Sequence, residues 1–396
     1  MDSPDNGRLH HIPAERARIC RSPWRVVPQF VERVWGAPRG SAELSLLYLP
    51  APDQPQRIGE VWLTGSDNRV AGGLHAGKTL QQVASECGAY LLGEGFPAHP
   101  SGQPVFPLLV KFLFTTDKLS VQVHPPDSAA KAQGSWGKTE MWHILWAAPG
   151  ARLAVGFRED AARQVEAHPA MLREAAASGA IEEMLDWRQV RAGETYFVPA
   201  GTVHAIGAGI TLCEIQQNSD LTYRLYDYNR PGMDGKPRPL HLEEALAVIE
   251  PRSTGGLTTP VGWPGRPGRT LLAACPYFAT ERWEVSALPR TEQQDLCFAQ
   301  QERGERRRLE LWIALEGGAE FASDGCREMV RAGEVLVIPA AAETFSLRPA
   351  GRGAFLRTCL PDWEHGLLAS LRAAGLEAED LKHTVFPLGT TAPEAA

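Results

Sequence analysis

No apolar run in this chain approaches the roughly 18 residues needed to cross a bilayer, and no apolar stretch follows the polar start Met1-Asp-Ser-Pro-Asp-Asn-Gly-Arg8. Neither a spanning helix nor a signal peptide is expected. Paired cysteines are missing as well: the seven cysteines are scattered, with no C-x-x-C. That pattern favours reduced thiols in a cytoplasmic protein over a disulfide framework. There is no excess of positive charge, the formal net charge being −7. Phosphate backbones select basic surfaces, so nucleic acid is not an expected partner, although a local Lys/Arg cluster can still hold one small anion. With no G-x-x-x-x-G-K-[ST] loop and no paired-glycine fingerprint after a strand, no nucleotide cofactor is implied. Histidine is absent between residues 250 and 364.

What the chain does contain is a repeat. Arg191-Ala-Gly-Glu-Thr-Tyr-Phe-Val-Pro-Ala200 and Arg331-Ala-Gly-Glu-Val-Leu-Val-Ile-Pro-Ala340 read nearly alike. The first runs on to His204; the second, in register, has Thr344. A repeated β-unit that keeps a potential metal ligand in one copy implies duplicated architecture with a single chemical centre. At 396 residues the chain has room for two or three domains.

Short apolar runs separated by Gly and Pro predict a mainly β fold. Residues 1–22 form a polar leader expected to be poorly ordered. A first β-unit spans 23–250, with a capped helix over 79–92 and strands over 108–114, 119–124, 140–146, 188–199 and 209–216. A helical element occupies about 160–186, broken at Ser178-Gly179. Residues 251–269 are rich in Pro and Gly and predict a linker. A second β-unit, without a helix, covers 270–360, and a helix near 364–382 and a tail complete 361–396.

In Leu119-Ser-Val-Gln-Val-His124 the side chains of a strand alternate, so Gln122 and His124 share one face and Val121 and Val123 the other. Glu140 opens the next strand, and His204 follows Pro199-Ala-Gly-Thr-Val203. Neighbouring strands of a closed sheet bring inward side chains together across such separations. Imidazole with mixed oxygen donors suits Zn²⁺, with Mn, Co or Fe as substitutes. After His204 comes a polar and aromatic segment, Glu214 to Arg230, in which Arg224, with Lys138, is placed to hold a phosphate or a developing oxyanion. His75, His99, His168, His241, His365 and His383 lack a partner at ligand spacing and are read as surface or satisfied residues. His143 falls on the face opposite Glu140, and the run Arg303 to Arg308 reads as a solvated hairpin.

Several of these strings resemble type I phosphomannose isomerases. Leu119-Ser-Val-Gln-Val-His-Pro-Pro-Asp127 is similar to their L-S-x-Q-V-H-P-x-D, Gly137-Lys-Thr-Glu-Met-Trp-His143 to G-K-T-E-x-W-x, and Pro199-Ala-Gly-Thr-Val-His204 to P-A-G-x-x-H. Pro28 to Gly36 and Ile58-Gly-Glu-Val-Trp62 resemble P-x-F-x-E-R-x-W-G and I-G-E-x-W. The likeness is ordered and runs from about residue 24 to 360, and the short interval from Glu140 to His204 resembles the shorter bacterial forms. Pro126 departs from the family at a position where an acidic or polar residue is common.

The resemblance implies two cupin-like β-barrels, jelly rolls, with a small helical element in the first. It also implies one zinc ion per chain, held by Gln122, His124, Glu140 and His204, and a small sugar phosphate as substrate. The implied activity interconverts mannose 6-phosphate and fructose 6-phosphate through an enediol, with Arg224, Lys138 and Asp220 as the catalytic candidates. Lys138, Asp220 and metal-bound water remain alternatives for the base. Rival readings are another metal-dependent cupin enzyme, either a different sugar isomerase or an oxygenase, and a non-enzymatic sugar-binding module. An oxygenase would more often show two His and one carboxylate without a glutamine.

Overall fold

Alternating and continuous apolar runs build strands throughout the molecule, which is mainly β with helices confined to short segments. The computed structural model describes residues 20–96, 98–285, 296–298, 307–323 and 325–387. Outside them lie most of the expected leader with His10 and His11, residues 303–306 of the basic run, and most of the tail. Among the described residues no helix is long and apolar enough to cross a membrane.

Two large sheets and a two-stranded one, Ala37–Pro38 with Arg57–Ile58, form the first half. A seven-stranded sheet runs in the order Gly256–Leu257, Thr195–Val198, Glu140–Ala147, Ile210–Gln217, Leu108–Thr115, Glu60–Trp62 and Gln29–Val31. A five-stranded sheet runs Leu185–Gln189, Arg152–Phe157, His204–Ile206, Val121–Val123 and Tyr223–Tyr226. The second half repeats the plan with a seven-stranded sheet, in which Val335–Ile338, Glu310–Glu316, Ala354–Cys359 and Phe278–Glu284 are successive neighbours, and a four-stranded one.

The strand Leu108–Thr115 shows how the halves meet. Its residues alternate, so Val110, Phe112 and Phe114 share one face and Lys111 and Leu113 the other. Val110, Phe112 and Phe114 enter one buried apolar cluster with Leu272, Leu311, Ile313, Val335, Val337 and Leu356 of the second half. The two seven-stranded sheets therefore share a core, which leaves the Lys111 face to look into the first half.

Several expectations need correction. Cys20 and Cys87 form a disulfide, with Cα atoms 5.5 Å apart, so the thiols are not all reduced. Their sequence separation hides the pairing, which arises because Cys20 packs into the core beside the helix Leu80–Cys87. Residues 20–22 of the expected leader are therefore anchored. Trp24–Arg25, assigned above to the first unit, pairs with Val335–Ile338 and completes the sheet of the second. The expected linker holds two short strands, Gly256–Leu257 and Val261–Gly262, one on each half. The helix over 79–92 is split at Gly88, although Thr79 caps it with Gln82 in a capping box. The strand expected over 188–199 is two, Leu185–Gln189 and Thr195–Val198, separated by the Arg191–Glu194 turn. A further break divides the helical element into Glu159–Ala167, Met171–Ser178 and Ile181–Met184, because Pro169 cannot continue a helix.

Candidate metal centre and its cavity

Gln122 and His204 stand directly opposite each other on neighbouring strands of the five-stranded sheet, where facing side chains lie within about 5 Å. His124 follows one step beyond Gln122 on the same face, and Glu140 faces them from the first strand position of the other sheet. One ligand atom from each of His124, Glu140 and His204 lies within 4.8 Å of the other two, and all three residues are buried.

Each imidazole is oriented from behind. Nδ1 of His124 donates to the Leu221 carbonyl at 2.8 Å, and Nδ1 of His204 to the Thr202 carbonyl at 2.9 Å. A proton on Nδ1 leaves the Nε2 lone pair facing the centre, the tautomer that ligates metals. Burial, then the Lys138 charge, hold His124 well below its ordinary pKa, and burial lowers His204 to about 4, so both rings stay neutral.

Glu140 carries the sharpest indication of a cation. Its Oε1 and Oε2 stand 3.5 Å from Nε2 of His204 and of His124 respectively, yet both oxygens are buried without accepting a hydrogen bond. Burial pushes its pKa upward, and Lys138, with Nζ at 3.3 Å from Oε2, offsets this only in part. Lone pairs of two neutral imidazoles and a carboxylate face one point; the Lys138 ammonium lies beside His124 and Glu140 but leaves both Glu140 oxygens without a hydrogen bond, and N and O donors in this set are those that hold a divalent metal. The residues present thus fit a divalent metal.

Gln122 completes the ring, with Nε2 at 3.2 Å from His204 Nε2 and 3.5 Å from His124 Nε2, while its Oε1 accepts from Ser120 Oγ at 2.9 Å. The amide can turn over and present Oε1 to the centre, Nε2 then donating to Ser120 Oγ.

A cavity of about 820 Å³ opens beside these donors, and its walls include Lys111, Lys138, Glu214, Asp220, Arg224 and His241. Lys138 is closer to the centre than its strand-edge position suggested: Nζ lies 3.0 Å from His124 Nε2. Arg224 is held at the wall by bonds from Nε to Ser120 Oγ at 3.3 Å and from Nη1 to the Pro239 carbonyl at 2.8 Å. Asp220 lies exposed on the same wall rather than among the donors.

Two groups on this wall escaped the sequence reading. Lys111 Nζ and Glu214 Oε2 form a buried ion pair at 2.9 Å, and Trp142 Nε1 donates to Glu214 Oε1 at 3.0 Å. Burial opposes ionisation of Glu214, but the Lys111 and Lys138 charges outweigh it and hold the carboxyl low. Each is a lone charge centred in an apolar strand, a pattern that signals a partner across the sheet. His241, set aside above, also lines the cavity, its Nδ1 accepting from the Arg224 backbone N–H at 3.3 Å. His143 stays off the site, hydrogen-bonded to Thr195 Oγ1 at 2.9 Å.

Comparison with known proteins converges on one family. Residues 24–141 match the family model described as phosphomannose isomerase type I, catalytic domain. The chain is 33% identical over 273 residues to the mannose-6-phosphate isomerase of Streptococcus mutans serotype c, covering 67% of this chain and 79% of that protein. The crystal structure of mannose 6-phosphate isomerase from Bacillus subtilis superposes with a TM-score of 0.69 at 26% identity, covering 85% of this chain and 99% of that one. A zinc-bound holo mannose 6-phosphate isomerase shares the fold, with a TM-score of 0.61 at 20% identity over 85% of this chain and 99% of that one.

Proposed function

The chain belongs to the type I phosphomannose isomerase family, and from that membership we propose that it is a cytoplasmic enzyme interconverting mannose 6-phosphate and fructose 6-phosphate. The observation that carries the proposal is the convergence of His124, Glu140 and His204 within 4.8 Å, next to a cavity lined by Gln122, Lys138 and Arg224. Each half, a seven-stranded antiparallel sheet with a smaller partner sheet, is read as a cupin-like jelly roll. One zinc ion is assigned per chain, held by Gln122, His124, Glu140 and His204. When bound, it supplies Lewis-acid polarisation of a sugar oxygen next to the reacting carbons.

The rest of the chemistry falls to the chain. Isomerisation moves one proton between C1 and C2 through an enediol, and one between the two oxygens, with no net change in atoms. Arg224, fixed by Ser120 and Pro239, stabilises the negative charge that develops on oxygen. Lys138, buried against His124 and Glu140, holds a proton within reach of the same oxygen. Among the several carboxylates on the cavity wall, Asp220 and the ionised Glu214 are the ones assigned to carry the carbon-bound proton. Binding of the phosphate in the open part of the cavity positions the reacting end.

The test is a coupled assay of mannose 6-phosphate conversion before and after chelation. Turnover that disappears with the metal and returns with zinc is the expected result. Absence of metal-dependent turnover contradicts the proposal.

A further inference from the structure

The second half of the molecule reaches the loop that carries the cavity-wall residue Lys138 through the side chain of Tyr277. Tyr277 sits in the turn between the strands Arg269–Cys275 and Phe278–Glu284 of the second seven-stranded sheet. Its hydroxyl donates to Asp127 Oδ2 at 2.7 Å. Asp127 begins the short helix after His124-Pro-Pro, and its other oxygen, Oδ1, accepts from Gly137 N at 2.6 Å and from Gln217 Nε2 at 3.0 Å. Gln217 Oε1 in turn accepts from Thr139 N at 2.9 Å. Thr139 Oγ1 accepts from Ala200 N at 3.3 Å, in the turn that leads to His204.

Lys138 lies between two of these anchored amides, and its own N–H donates to the Pro125 carbonyl at 3.0 Å. The packing leaves little slack. A Cβ at Gly137 would stand 2.6 Å from the Asp127 nitrogen and 2.8 Å from the Pro126 carbonyl carbon. A charge-assisted bond to a carboxylate is stronger than a neutral one, and burial with the Asp127 charge raises the Tyr277 pKa, keeping the phenol protonated as donor.

We propose that Tyr277 is a positioning residue: through Asp127 it fixes the 125–139 loop, and with it Lys138, so that the second half holds the first half's cavity wall in its working geometry. The proposal rests on the isomerase reading for its kinetic consequence but not for its structural one. Loss of the tether lets Lys138 drift from His124 and Glu140, and misplacement of about 1 Å costs up to about a hundredfold in rate.

The experiment compares wild type, Tyr277→Phe, Asp127→Asn and the double variant as full-length holoprotein. Amide hydrogen exchange at residues 137–139, metal content, unfolding midpoint, kcat and KM are measured together. Tyr277→Phe is expected to speed exchange at Gly137 and Thr139 and to lower kcat about tenfold, with KM and metal content nearly unchanged. The double variant is expected to be no slower than the slower single one, because both break one chain of contacts. Unchanged exchange at Gly137 and Thr139, or wild-type kcat in Tyr277→Phe, overturns the proposal. So do losses that multiply in the double variant, or a kcat that falls only in step with the unfolding midpoint. A wild-type protein with no turnover at all instead contradicts the isomerase reading, and the exchange measurement then decides the tether alone.

Discussion

The two copies of the Arg-Ala-Gly-Glu segment fold alike and diverge only where chemistry begins. In the first, Glu194 Oε2 accepts from the Arg191 amide at 2.9 Å; in the second, Glu334 Oε2 accepts from the Arg331 amide at 2.9 Å. Gly193 and Gly333 take φ of +91° and +86° and donate to Ile144 and Ala314, a conformation that glycine adopts without strain. The strands that follow pair Val198 with Glu140 and Ile338 with Glu310. Further across each sheet, Glu214 lies opposite Trp142 and Lys111, and Arg357 opposite Trp312 and Glu281.

The Lys111–Glu214 pair of the first half is thus answered by Glu281–Arg357, with the charges exchanged. That exchange changes the fate of the equivalent carboxylates. Glu140 accepts no hydrogen bond, whereas Glu310 Oε2 accepts from Arg357 Nε at 2.8 Å. The second interior is further filled by Trp283, Trp312, Phe321, Phe345 and Phe355, and Thr344 precedes Phe345 where the first copy has His204. A duplicated scaffold has been completed in two ways: one half leaves a carboxylate for a cation, the other satisfies it internally and packs the space.

Substitutions can break this contrast at either side. His204→Ala removes a proposed ligand, and both metal content and turnover are expected to fall, the latter by at least about a thousandfold, measured by elemental analysis and the coupled assay. Arg224→Ala should retain the metal and lose about a hundredfold or more in kcat, as an oxyanion stabiliser does. Arg357→Ala takes from buried Glu310 the guanidinium that bonds it and leaves Glu281 only that of Arg269, so urea unfolding should show a loss of about 3–5 kcal/mol while turnover per folded molecule is kept. Acid probes the same pair with a smaller effect. Burial opposes ionisation of Glu281, but Arg269 and Arg357 hold its pKa below the usual carboxylate range. Its contribution to stability is present above the unfolded pKa of about 4.3 and is lost as pH falls below it; thermal midpoints measured from pH 6 to 3 should fall in wild type, and less steeply in Glu281→Gln. Thr344→His is expected to add no metal, since Glu310, the counterpart of Glu140, already accepts from Arg357.

Much of the site was legible because strand alternation places Gln122 and His124 on one face, and because His204 breaks a repeat that can be read by eye. Lys111 and Glu214 were missed because their pairing lies across a sheet, with only a lone charge in each apolar strand to announce it. His241 lacks ligand spacing in the sequence and reaches the cavity wall through the Arg224 backbone. The Cys20–Cys87 disulfide and the Trp24–Arg25 strand depend on a chain start that packs far from its sequence neighbours, which periodicity cannot register. The turn at Arg191–Glu194 splits what looked like a single strand, although its twin at Arg331 was already visible as a repeat.

Metal stoichiometry on the full chain tests the central claim most directly. Protein stripped by chelation and titrated with zinc is predicted to take up one equivalent per chain, with isomerase turnover rising in step and both lost in His204→Ala. Two equivalents, full turnover in the stripped protein, or zinc uptake that survives His204→Ala would contradict a single centre in the first half.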